Sequence, residues 1–226
     1  MSASRASLPK SAKLFVRRVI HRVGRLVALA ALVLPVVAFS TAAEVRTLVF
    51  LGDSLTAGYG LDPDDAYPAV IQRKITAAGL RWRVVNAGLS GETTAGGRRR
   101  LDWILRQPID LLVIELGGND GLRGLSPVET RANLQAMIDR VRAKQPAAQI
   151  ILAGMQMPTN MGPVYTREFA AVYPDLAKQN ELRLIPFLLE GVGGRPELNQ
   201  PDGIHPTPEG HRIVAETVWK VLVPLL

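Results

Sequence analysis

The feature that most limits this chain is an alternation. Five short runs rich in apolar and β-branched residues lie at 46–52, 82–88, 109–118, 148–155 and 182–187. Between and after them, segments of helical period run over 66–78, 93–106, 127–144, 165–179 and 207–223. Near-continuous apolar runs suit strands covered on both faces. Strands alternating with helices predict a parallel sheet, and right-handed crossovers place helices on both sides of it. The expected fold class is therefore α/β, a three-layer α/β/α body spanning 44–226 without repeat, linker or second domain. Within it, Ser126, Pro127 and Glu129 form a helix start, with the serine as N-cap and the glutamate at the third position.

Charge separates the first 43 residues from that body. Arg5, Lys10, Lys13, Arg17, Arg18, Arg22 and Arg25 lie there with no acid. Those seven cations equal the whole formal net charge of +7, so 44–226 is neutral overall and carries no charge footprint for a nucleic acid. The basic stretch is followed by the apolar run LVALAALVLPVVAF at 26–39 and the small residues STAA at 40–43. That order is a secretory signal, cut after Ala43 or Ala42. The run is broken by Pro35 and is short for a bilayer span, although an uncleaved anchor is the other reading. An exported, periplasmic protein with no stable membrane span after processing is expected. It folds without disulfides, because the chain has no cysteine.

In an open parallel sheet, ligands bind beyond the carboxyl ends of the strands. The polar residues after the five runs are Asp53 and Ser54, then Asn86 and Gly88, then Asn119 and Asp120, then Gln156 to Asn160, and finally Asp202 and His205. A hydroxyl, amide donors, a carboxylate and an imidazole thus converge on one edge. Ser54, where a strand turns into a helix, is either a nucleophile or the helix cap. Of three histidines, His21 lies in the leader, and His211 has neighbours that suggest a surface or packing role. His205 follows Asp202 by three residues in a Pro- and Gly-rich loop. There the carboxylate either orients the imidazole as a base for Ser54 or caps the last helix. The candidate oxyanion donors are the N–H groups of Ser54 and Gly88 and the side-chain amide of Asn119. The competing roles are a turn for Gly88 and an Asx-turn for Asn119. One histidine among carboxylates makes a poor zinc site, so no metal is expected.

The blocks FLGDSLTAGYG, NAGLSGETTAGG, LGGNDGLRG and DGIHPTPEGH, taken together and in this order, resemble the SGNH hydrolases, also called the GDSL esterase/lipase family. The resemblance implies Ser54, Asp202 and His205 as the catalytic residues, and Ser54, Gly88 and Asn119 as the oxyanion hole. SGETTAGG, GGNDGLRGL and YPDLAKQ look like the periplasmic arylesterase and acyl-CoA thioesterase/lysophospholipase branch. That likeness implies the SGNH fold, a flavodoxin-like five-stranded sheet of order 2-1-3-4-5, and no cofactor. It also implies small-molecule ester or thioester substrates, with the loop at 155–162 along the acyl chain through Met157, Pro158 and Asn160. The methionines at 155, 157 and 161 give this loop an adaptable apolar surface, though each also serves as ordinary core filling. A carbohydrate or peptidoglycan O-deacetylase and a non-catalytic periplasmic binding domain remain as rivals. A nucleotide binder lacks the G-x-G-x-x-G after the first strand. Oligomeric state is left open.

Overall fold

The computed structural model describes residues 44–226, and the export signal expected at 1–43 lies outside the described residues. Five strands form one sheet: β1 (Arg46–Gly52), β2 (Trp82–Gly88), β3 (Leu111–Glu115), β4 (Gln149–Ala153) and β5 (Arg183–Ile185). The order is β2-β1-β3-β4-β5, and every neighbouring pair is parallel. Both the sheet and its order match the expectation. β1 and β2 have the predicted bounds, whereas β3, β4 and β5 are shorter than their apolar runs. The reason is that hydrophobicity follows burial rather than strand pairing. Leu116 and Met155 lie beyond their strands yet stay buried.

Among the described residues, seven α-helices accompany the strands: α1 (Ser54–Ala57), α2 (Tyr67–Ala77), α3 (Thr94–Ile104), α4 (Gly118–Leu122), α5 (Pro127–Lys144), α6 (Pro163–Gln179) and α7 (Pro208–Leu222). The five long ones occupy the predicted segments. α1 and α4 are too short to show a period in sequence. The α5 cap is one-sided. Ser126 Oγ accepts the Val128 N–H at 3.2 Å, and no return bond from Glu129 occurs among the described residues. No helix among the described residues is long and apolar enough to cross a membrane.

The topology places the cleft. From β1 the chain steps outward to β2, then returns past β1 to β3, so the direction of winding reverses at β1. With right-handed crossovers, α2 and α7 pack together on one face, while α3, α5 and α6 line the other. Loops diverge at such a reversal, leaving a crevice at the carboxyl end of β1. The central strands supply the floor of the core. Leu48, Val49, Phe50, Leu51 and Leu111 to Ile114 have no exposed surface.

His211 belongs to this core and is 1% exposed. Its Nδ1 accepts the Tyr67 N–H at the start of α2 at 3.1 Å, and its ring stacks on Tyr67. Burial pushes its pKa down to about 4, with His205 adding to the fall and Asp65 opposing it. Between pH 6.5 and about 4 the unfolded chain therefore takes up a proton that folded His211 refuses, and acidification drains stability. Urea unfolding of wild type and His211→Gln is expected to show a stability gap that narrows as pH falls from 7 to 4. A gap independent of pH would contradict this.

Candidate active site

The turn that carries Ser54 is built by close approach. Gly52 ends β1 in register with Gly88 and Glu115. A Cβ on Gly52 would lie 2.1 Å from Thr56 Oγ1 and 2.4 Å from Glu115 Oε2, so no side chain fits. Asp53 then caps α1, its Oδ1 accepting the Leu55 N–H at 3.0 Å. The cap is therefore Asp53 and not Ser54. Ser54 is the first helical residue, 9% exposed, with its hydroxyl free for another partner.

That partner is His205, whose Nε2 lies 2.8 Å from Ser54 Oγ. His205 Nδ1 lies 2.7 Å from Asp202 Oδ2. A carboxylate only accepts, so Nδ1 carries the proton and Nε2 presents its lone pair to the serine. Asp202 Oδ1 accepts the N–H groups of Ile204 at 2.9 Å and His205 at 3.0 Å. The His205 N–H, the His205 ring and the Ile204 N–H hold the Asp202 pKa down at about 2, against the opposing effect of burial. The last helix is capped by Thr207, not by Asp202. Gln200 stitches the two loops together. Its Nε2 donates to Tyr59 O at 2.8 Å and Pro206 O at 3.1 Å, and its N–H donates to His205 O at 2.7 Å. The Tyr59 ring covers the imidazole at 4.6 Å between centroids.

The first two glycines of the second block, Gly88 and Gly91, have different surroundings. Gly88 is not part of the cleft. Its N–H donates to Asn86 Oδ1 at 2.9 Å, and a Cβ there would meet Ala57 N at 2.3 Å. Its role is close packing beneath α1. Gly91 lines a cavity of about 230 Å³ with Ser54, Asn119 and His205. It sits in a turn at φ 79°, and its carbonyl accepts from Arg123 Nη2 at 3.0 Å. The N–H groups of Ser54 and Gly91 have no acceptor among the described residues. The next residue, Glu92, is buried and paired bidentately with Arg100, whose Nη2 also donates to Gly52 O at 3.2 Å and Ala87 O at 2.7 Å. Asn119 lies in α4 rather than in an Asx-turn, and it faces the same cavity. Its amide donates to Asp53 Oδ2 at 3.0 Å and Glu92 O at 3.1 Å, so both hydrogens are engaged. Burial pushes the Asp53 pKa up to about 6, despite the Leu55 N–H, the Asn119 amide and His205.

Beside this cavity lies a second, of about 450 Å³, sharing Leu55, Gly118, Leu122 and Ile204 as walls. Met155, Met157, Pro158, Phe187 and Leu189 complete an apolar lining. Met157 and Pro158 are thus where expected. Asn160 is exposed and lines neither cavity, because the short turn Thr159–Met161 carries it outward.

This arrangement coincides with a match of residues 50–213 to the GDSL-like Lipase/Acylhydrolase family. The chain belongs to that family. It is 43% identical over 194 residues to Esterase TesA of Pseudomonas aeruginosa, covering 85% of this chain and 96% of that protein. It is 40% identical to Thioesterase 1/protease 1/lysophospholipase L1 of Escherichia coli over 82% of this chain and 87% of the other. Among solved structures, the crystal structure of TesA superposes with a TM-score of 0.77 at 44% identity, covering 80% of this chain and all of that one.

Three features of this GDSL-like acylhydrolase were not read from its sequence. Gly91 carries a signal in hindsight, since it follows β2 by three residues and precedes a charged Glu92. Phe187 ends the fifth apolar run and Leu189 lies just beyond it, and Gln200 has no pattern of its own. Gly88→Ala is expected to lower stability by about 2 kcal/mol or more, because α1 backbone has to move. A thermal melt checks this, and an unchanged transition would refute the packing role.

Proposed function

We propose that this protein hydrolyses carboxylic esters, and acyl thioesters by the same chemistry, through an acyl-enzyme on Ser54. The observation that carries the reading is the unbroken chain from Ser54 Oγ to His205 Nε2 at 2.8 Å and from His205 Nδ1 to Asp202 Oδ2 at 2.7 Å. His205 Nε2 takes the Ser54 proton as Oγ bonds to the acyl carbon. The carbonyl π electrons move to oxygen, where the free N–H groups of Ser54 and Gly91 receive the negative charge. Asn119 contributes by sharing one hydrogen now held by Asp53 or Glu92. As the tetrahedral species collapses, His205 gives its proton to the leaving oxygen or sulfur. Water, deprotonated by His205, then attacks the acyl-enzyme and frees the acid and Ser54.

The apolar cavity next to Ser54 supports an acyl group longer than acetyl, which disfavours the deacetylase reading. Its similarity to an esterase and to a thioesterase/lysophospholipase supports the same substrate range. The basic, apolar and small-residue order at 1–43 supports export, with cleavage after Ala43 or Ala42 and a periplasmic body spanning 44–226.

Ser54→Ala is expected to lower p-nitrophenyl ester hydrolysis by roughly a thousandfold or more with an unchanged melt, and to abolish covalent labelling by an organophosphonate. Retained activity or labelling would overturn the assignment. On the wild type, a panel of p-nitrophenyl esters is expected to favour hexanoate or octanoate over acetate in kcat/KM. A preference for acetate would remove the acyl role of the apolar cavity.

A further inference from the structure

Glu115 ends β3 in the centre of the sheet with no exposed surface, yet the chemistry above does not use it. Its Oε2 accepts the Asp53 N–H at 3.3 Å and the Thr56 hydroxyl at 2.6 Å. Thr56 Oγ1 is also 2.7 Å from the Tyr67 hydroxyl, which is itself fully buried. Asp53 and Thr56 flank Ser54 on its two sides, so one carboxyl oxygen holds both ends of the nucleophile turn. Gly52 leaves the space through which this carboxyl passes. The arrangement is an expensive one to keep, because Glu115 Oε1 is buried without a partner. An apolar side chain would remove that penalty, and it would also release the turn.

We propose that Glu115 is a positioning residue for the reaction: it pins the turn at Asp53 and Thr56, and so sets the distance and angle at which Ser54 Oγ meets His205 Nε2. This rests on the ester-hydrolase reading. Misplacing a nucleophile by about 1 Å costs on the order of a hundredfold in rate with little effect on binding. Burial, followed by the nearby Asp53, pushes the Glu115 pKa well up, which favours a neutral carboxyl here. The uncharged amide of Gln is therefore a fair substitute for its accepting oxygen.

The test compares Glu115→Gln, Glu115→Leu and Thr56→Val, using p-nitrophenyl ester kinetics and the rate of phosphonate labelling. Glu115→Gln is expected to keep kcat within about threefold of wild type. Glu115→Leu is expected to lose about ten- to hundredfold in kcat and in labelling rate, with KM within about twofold. Retention of kcat by the Leu variant would overturn the proposal, as would an equal loss in both Glu115 variants. If the Leu variant does not fold, Thr56→Val decides: lower kcat at constant KM supports the pinning, and unchanged kcat overturns it. A wild type that neither turns over esters nor labels at Ser54 would instead overturn the ester-hydrolase reading itself.

Discussion

The buried end of β1 must find partners for its amides before it can present Ser54 to the cleft. An N–H withdrawn from water without an acceptor costs about 1–3 kcal/mol. Two carboxyl groups answer that demand. Asp53 Oδ1 receives the Leu55 N–H, and Glu115 Oε2 receives the Asp53 N–H. With those amides satisfied, the Ser54 hydroxyl is not needed as a cap and meets His205 instead. Its own N–H has no acceptor among the described residues. A helix start with one unpaired amide is thus a fold element that also offers a donor for negative charge.

Three carboxyl groups within this small region sit in different media, and the medium sorts their roles. Asp202 is partly exposed and bonded by two backbone amides and an imidazole, so it stays ionised and orients His205. Asp53 is buried, and its pKa rises to about 6. Glu115 has no exposed surface, and burial, followed by the nearby Asp53, pushes its pKa well up. An ionised group at Glu115 would face Asp53 across the turn, whereas a neutral carboxyl there holds the backbone without adding charge beneath the nucleophile.

The cleft is joined by contacts between loops that are far apart in sequence. Gln200 links the His205 loop to Tyr59, and Arg100 links the Gly91 turn to the ends of β1 and β2. Such ties join the His205 loop to the loop after β1, and the Gly91 turn to the ends of β1 and β2. They also fix the sides of the cleft: the donors at Ser54 and Gly91 on one, and the apolar cavity with Met157 and Phe187 on the other.

The order of strands and helices, the parallel sheet and the strand-end positions of Ser54, Asn119, Asp202 and His205 were legible in the sequence. They depend on local period and on where apolar runs stop, and both are written residue by residue. The chain's order alone could not separate Gly88 from Gly91. Gly88 ends β2 and Gly91 follows it by three residues, and only folding shows that the Gly88 N–H is taken by Asn86 while the Gly91 N–H has no acceptor among the described residues. Likewise, sequence left Ser54 as cap or nucleophile, and Asp202 as helix cap or partner of His205. The structure gives both caps to other residues, because a hydrogen bond is a matter of distance and direction across the chain. Asp53 and Thr207 take the caps, and the imidazole, 151 residues away from Ser54, arrives at the serine.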